Sequence, residues 1–510
     1  MKRIIATLLL VVVMLTGILG SLTSCGLFGS NKPASDFEMP DGGYDGSAVT
    51  IKFYHTMGAA LTSILTDAIA EFNTLYPNIT IEHQSYGNYD ALLSQISTEV
   101  TVGNQPHLAY CYPDHVATYN EAGAVQTLDA FLNSDIVITR ADGSTETIGY
   151  TQEQLDDFIE AYYNEGKAFG DGKMYSIALA KSTEVLYYNK TVFEKHGLSV
   201  PTTWEEMKAV CEQLKDLYPN DIPLGYDSEA NWFITMCEQY NSPYTSATGE
   251  NFLFNNKTNR DFVNMFRQWH QDRLVTTQEI SGGYTSALFT GDNSSSDTDS
   301  EAAKGTRCYM CIGSTGGASY QQPNDKNGVY DFEVGIAPIP QVDKNNPKVI
   351  SQGPSLCVFK KDNAQEVIAS WLFAKFLTTN VEYQARVSES NGYVPVMKSV
   401  QKDPTYMEFL AGMEELKDKD GNVVEDENGN AVMVQNNTKF ITAYAVRVAI
   451  EQAENCYTSP AFNGSSVARI QVGYLIQKCF TTKPGVQLTD AELQAIFEEY
   501  VAECKYQSGQ

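Results

Sequence analysis

A chain of 510 residues with 43% hydrophobic side chains holds enough apolar material for a large core, and two domains are the expected organisation. The formal net charge is −28, or −28 − 2 = −30 once Lys2 and Arg3 are set aside, and such a chain repels nucleic acid and anionic lipid. Its ten cysteines are widely spread, and Cys308-Tyr309-Met310-Cys311 has no second Cys or His pair beside it, so neither a disulfide framework nor a metal site is expected.

The chain opens with Lys2 and Arg3, an almost unbroken apolar run from Ile4 to Leu19, and Leu22-Thr23-Ser24-Cys25. A basic start, an apolar stretch and small residues before a cut describe an export signal over 1–24. The cysteine after Thr-Ser resembles a bacterial lipobox, in which Cys25 carries the lipid. A plain signal peptide or an anchor helix is the alternative, and the run is short for a helix that spans a membrane. Residues 25–47 are rich in Gly, Ser, Asn, Asp and Pro, too poor in apolar side chains to fold, and are expected to form a flexible tether.

Val49 to Phe53 alternates as a strand. Leu61, Ile64, Leu65, Ala68, Ile69 and Phe72 then recur at helical spacing up to Pro77, and Ile79 and Ile81 give a second strand. Asp90 is the expected cap of a helix burying Leu93, Ile96 and Val100, before a third strand over 108–111. This rhythm predicts a parallel α/β sheet, whose ligands bind beyond the carboxyl ends of the strands. His55, Tyr89, Tyr112 and Asp114 follow those ends. Further on come strands from Ile177 and Val185, a Thr203/Glu206 capping box, a Ser/Asp-rich loop over 291–300 and a helix introduced by Asp362. Turns at Asp420-Gly421 and Asn428-Gly429 predict an exposed hairpin over 417–435, not a calcium loop, and a Thr489/Glu492 box starts the last helix.

Six short motifs recur in order: Phe53-Tyr54-His55-Thr56-Met57, Gly87-Asn88-Tyr89-Asp90, Gly103-Asn104-Gln105-Pro106, Leu186-Tyr187-Tyr188-Asn189-Lys190, Pro201-Thr202-Thr203-Trp204 and Asn391-Gly392-Tyr393-Val394-Pro395. With them the chain resembles the extracellular solute-binding proteins of bacterial ABC importers, the family that holds the maltose-binding protein, and within it the glycerol-3-phosphate-binding branch. The resemblance implies an α/β, two-lobed periplasmic-binding-protein-like fold with a hinge and an interlobe cleft that closes on ligand. It places lobe 1 at 48–183 plus 313–356 and lobe 2 at 184–312 plus 357–510, with crossovers near 182–184, 310–313 and 356–359. It also implies capture of a small carbohydrate or polyol by a monomer, without cofactor or chemistry, and delivery to the permease's transmembrane subunits from a lipid anchor on the extracytoplasmic side.

Carried over residue by residue, the resemblance makes Tyr89, Ser182, Ser314, Gly353 and Tyr393 ligand-facing. Trp232 either stacks on a sugar face or fills a core. Tyr112 and His55 are further candidates, and His55 is equally suited to a structural hydrogen bond. Asp114 stands one residue from the position of the branch's cleft glutamate. Where the branch holds phosphate with an arginine, this chain has Phe462, which makes no charge-assisted bonds, and Arg469 lies on the following helix. An uncharged sugar is therefore expected. Two other readings stay open: a surface glycosidase-like enzyme with paired carboxylates, although no HExxH or GxSxG is present, and a sensor that docks a membrane receptor.

Overall fold

The computed structural model describes residues 37–292, 299–323, 331–417, 422–426, 429–435 and 439–510. The export signal, Cys25 and most of the tether lie outside these residues, as does the centre of the 291–300 loop. Residues 38–510 form one unit containing two large sheets and, among the described residues, four two-stranded ones.

Five strands of the large sheets precede the first crossover: β1 (Val49–His55), β2 (Ile79–Ser85), β3 (Leu108–Cys111), β4 (Val125–Gln126) and β5 (Ile177–Ala178). Six more strands of the large sheets follow it: β6 (Glu184–Asn189), β7 (Leu224–Tyr226), β8 (Val275–Thr277), β9 (Met310–Ser314), β10 (Val334–Pro338) and β11 (Ser355–Phe359). The first sheet runs β2-β1-β3-β11-β4, with β5 on the edge of β11. Its β1, β2 and β3 are parallel, and β11 enters antiparallel between β3 and β4. The second runs β8-β7-β9-β6-β10, with β7, β8 and β9 parallel and β6 antiparallel to both neighbours.

Local sequence explains most element starts. Thr203 and Thr489 cap their helices through reciprocal bonds with Glu206 and Glu492. Two caps differ from expectation. Asn88, not Asp90, accepts the Ala91 N–H at 2.8 Å, so the helix Tyr89–Thr101 starts earlier and buries Leu92 and Ile96 while Leu93 is only half-buried. Asn363, not Asp362, caps the helix Ala364–Thr379. The hairpin over 417–435 is present at its base, where Met413–Glu415 pairs antiparallel with Met433–Gln435. The nine described cysteines are all free, and all but half-buried Cys456 are buried.

The expected division of the chain between the lobes needs correction at two segments. Residues 310–313 are no crossover but the interior of β9, and 334–338, expected in lobe 1, pair with β6 in the second sheet. Residues 356–359, expected as a crossover into lobe 2, sit in the middle of the first sheet. The helix Ala364–Thr379 packs on that sheet as well: Phe373 lies 6.0 Å from Phe53 and 5.0 Å from Phe72, ring centre to ring centre. The chain crosses at 182–184 and again just before β11, where Ser182 pairs with Gln352. An apolar run shows that a segment is a strand; it does not show which sheet receives it.

Each lobe has its own core. In the second, the helices Trp204–Leu217, Glu229–Gln239, Lys257–Gln271 and Ser465–Thr481 bury Trp204, Trp232, Phe266 and Phe480 against one another. Among the described residues no helix is long and apolar enough to cross a membrane.

Candidate functional site

The carboxyl ends of β7, β8 and β9 point to one place. Asp227 and Ser228 follow β7, Gln278 follows β8, and Ser314 ends β9. Antiparallel β6 begins at the same edge with Glu184, two residues after Ser182. From the first lobe come Tyr112, which follows β3, and Tyr393, which follows the helix Val381–Asn391. These residues line a cavity of about 670 Å³, with Gln352 and Gly353 of the returning crossover at its back. That volume is ordinary for a small-molecule site.

Five residues expected from the sequence, Tyr112, Ser182, Ser314, Gly353 and Tyr393, are thus brought together. Ser314 Oγ lies 3.2 Å from Ser182 Oγ. Gly353 has φ +89°, and a Cβ there would meet the Ala180 carbonyl oxygen at 2.5 Å, so the two crossovers pack too closely for any side chain. Tyr393 follows Gly392 (φ +83°), whose missing side chain lets the turn press on the Thr315 carbonyl.

The other four stand elsewhere. Tyr89 does not line the cavity; its ring lies against Tyr112 at 4.4 Å between centres and positions it. Asp114 lines a smaller neighbouring cavity of about 50 Å³, which shares Tyr112, Gln352 and Arg469 with the large one. His55 is fully buried: its Nδ1 accepts the Met57 N–H at 3.1 Å and its Nε2 faces His83. Burial, with His83 adding to it, lowers the His55 pKa to about 4, so the ring is neutral and structural. Trp232 is 1% exposed, stacks on Tyr226 at 5.0 Å and packs against the tilted ring of Phe266 at 4.2 Å. The reason is helical phase: Asn231 faces the cavity, and the next residue turns about 100° into the core.

The sequence reading missed a polar chain along the second lobe's wall. Glu184 accepts hydrogen bonds from Asn231 Nδ2 at 2.9 Å and from the Tyr226 hydroxyl at 2.5 Å. Asn231 Oδ1 in turn accepts one from the Arg469 guanidinium. Arg469 lines both cavities, and among the described residues no carboxylate stands within ion-pair distance of it. The argument from Phe462 for an uncharged sugar therefore loses its ground, because Arg469 puts a basic group on the cavity wall. Phe462, from which an uncharged ligand was argued, is buried against Phe252. Asp227 accepts from Thr285 N–H at 2.7 Å and its hydroxyl at 2.6 Å, and burial raises its pKa. Asp227 and Gln278 were findable by the strand-end rule applied to the second sheet. Among the described residues no group of three or more His, Cys, Asp or Glu could hold a metal ion.

Burial raises the Glu184 pKa to about 7 against the opposing pull of its two donors. The native state then holds this proton up to about pH 7, whereas the unfolded chain releases it near the ordinary 4.5. Stability therefore falls as pH rises through that window, and Glu184→Gln flattens the slope. Urea unfolding of both proteins at several pH values checks this; parallel curves would refute it.

The bacterial extracellular solute-binding protein model matches residues 67–411, more than half of the chain. The sn-glycerol-3-phosphate-binding periplasmic protein of Shigella flexneri is 25% identical over 360 residues, 69% of this chain and 75% of its own length. Among solved structures, the sugar-binding protein MalE of Xanthomonas citri superposes with a TM-score of 0.64 at 16% identity, covering 91% of this chain and 100% of that one. UgpB of Mycobacterium tuberculosis, in complex with glycerophosphocholine, gives 0.62 at 15% identity, covering 90% and 98%. These relatives are described as binding proteins, not enzymes. With the two-lobed fold, the cleft and a match over most of its length, the chain belongs to the bacterial extracellular solute-binding proteins.

Proposed function

We propose that the protein captures a small carbohydrate or polyol in the interlobe cavity and delivers it to the transmembrane subunits of an ABC importer, performing no chemistry on it. The observation that carries this reading is the cavity itself: aromatic groups of one lobe, Tyr112 and Tyr393, face hydroxyl, amide and carboxyl groups of the other across the hinge. A sugar presents apolar C–H faces and hydroxyl edges, which suit rings on one side and Ser182, Asn231, Gln278 and Ser314 on the other. Arg469 adds a donor suited to a ligand oxygen whether neutral or anionic, so a phosphate-bearing polyol belongs in the same test.

Calorimetry of the purified domain with sugars, polyols and glycerophosphodiesters tests the reading. One class is expected to bind without turnover. Tyr393→Ala should weaken it by about 1–3 kcal/mol, roughly ten- to hundredfold, with little change in the melting temperature of the ligand-free protein. Hydrolysis of a bound glycoside would favour the enzyme alternative, and unchanged affinity would remove Tyr393 from the site.

We also propose that Cys25 is lipidated and that the residues from 25 to 37 tether the domain to the extracytoplasmic face of the membrane. Residues 38–47, expected in the tether, belong instead to the compact unit, where Gln365 bonds the Asp45 N–H and the Gly43 carbonyl. The motif Leu22-Thr23-Ser24-Cys25 and the tether's composition support this. Mass spectrometry of the envelope-associated protein showing an unmodified Cys25 thiol would refute it.

A further inference from the structure

Two large aromatic side chains on the cavity wall stand largely exposed. Tyr284 is 65% exposed and Tyr320 is 75% exposed, yet both line the 670 Å³ cavity. Neither phenol has a hydrogen bond, and neither ring contacts another ring, among the described residues. Their backbones, in contrast, are fixed. Tyr284 follows the left-handed turn at Gly282 and precedes Thr285, which is fully buried and doubly bonded to Asp227. Tyr320 stands in the 3-10 helix Thr315–Gln321, three residues from Gly317 and therefore on the same face. Gly317 also lines the cavity, and a Cβ added there would meet nothing within 4 Å. A bare backbone shelf beside Gly316, which the Tyr393 ring approaches, separates Tyr393 from Tyr320.

The cavity thus has inner aromatic groups, Tyr112 and Tyr393, a shelf without side chains, and outer aromatic groups held at fixed points. A hexose, with about a dozen covalently packed heavy atoms, leaves part of a cavity of about 670 Å³ unfilled. Resting on the carbohydrate reading above, we propose that Tyr284 and Tyr320 are stacking platforms for sugar rings beyond the first, so that the solute is an oligosaccharide of at least two units. The inner tyrosines and the polar wall hold one ring, and the outer pair determines preference for chain length.

The test is calorimetry with matched mono-, di- and trisaccharides of the α-1,4-glucan, β-1,4-glucan, β-1,4-xylan, β-1,4-mannan and α-galactoside series. In one series affinity is expected to rise tenfold or more with length. Tyr284→Ala and Tyr320→Ala should each remove about three- to tenfold of that gain and leave the affinity for the shortest ligand unchanged, while Tyr284→Phe and Tyr320→Phe retain it. Monosaccharide binding with no gain on lengthening overturns the inference and leaves the carbohydrate reading standing. So does a gain that survives in the alanine variants or is lost in the phenylalanine ones. Silence across every series overturns the carbohydrate reading and this inference with it.

Discussion

Glu165→Ala is expected to destabilise the folded protein by about 3–5 kcal/mol, because it strands a buried ammonium. Glu165 and Lys181 side chains are 1% and 0% exposed, and Lys181 Nζ lies 2.6 Å from Glu165 Oε1. The carboxylate also accepts from Ser355 Oγ at 2.8 Å, Ser351 Oγ at 2.9 Å and Thr458 Oγ1 at 3.1 Å. Lys181 donates its remaining bond to the Gly353 carbonyl at 2.9 Å. Truncating Glu165 leaves that single neutral acceptor for a charge excluded from water. At about 2–4 °C per kcal/mol for domains of 150–250 residues, the melting temperature should fall by roughly 10 °C. Removing both charges in Glu165→Gln/Lys181→Met should recover much of the loss, because no ion then remains unpaired. A single variant that unfolds within about 1 kcal/mol of the parent in urea would contradict the account.

Trp232→Ala should cost a similar amount, about 3–5 kcal/mol, and for a different reason: it opens a hole among Tyr226, Phe266, Trp204 and Phe480. Ligand affinity of the fraction that remains folded should stay within about threefold of the parent, since the ring does not line the cavity. Tyr393→Ala is expected to show the opposite pattern. Thermal unfolding and calorimetry on both variants therefore separate core from site, and a Trp232 variant that is stable but binds poorly would reverse the assignment.

The two tryptophan readings left open by the sequence show where its information ends. Asn231 and Trp232 are neighbours on one helix, and which faces the cavity depends on a rotation set by Glu184 and Tyr226, residues distant in sequence. The first three strands were legible because their alternation and spacing are local. The capping boxes at Thr203 and Thr489 were legible for the same reason. Ser182, Ser314, Gly353 and Tyr393 were reached through the family resemblance, and Tyr112 through its place after a strand. Arg469 was seen but discounted, because nothing local shows that its helix, packed on Glu229–Gln239, directs it past Asn231 into the cavity. Segments 310–314 and 355–359 are equally apolar, and only long-range pairing decides that they join different sheets.

The position of β11 has a consequence for the order of assembly. It fills the slot between β3 and β4, more than 200 residues after both, and no other strand joins that pair. Until residue 359 is available the first sheet has three separated pieces, β2-β1-β3, β4 and β5, with unpaired edges, however much of the chain has already been made. The second lobe interrupts the first, and its own sheet needs only residues 184–338 to close. The later half of the fold can therefore set its strands before the earlier half completes its own, and the long loop closure across 111–355 makes the first lobe the slow step.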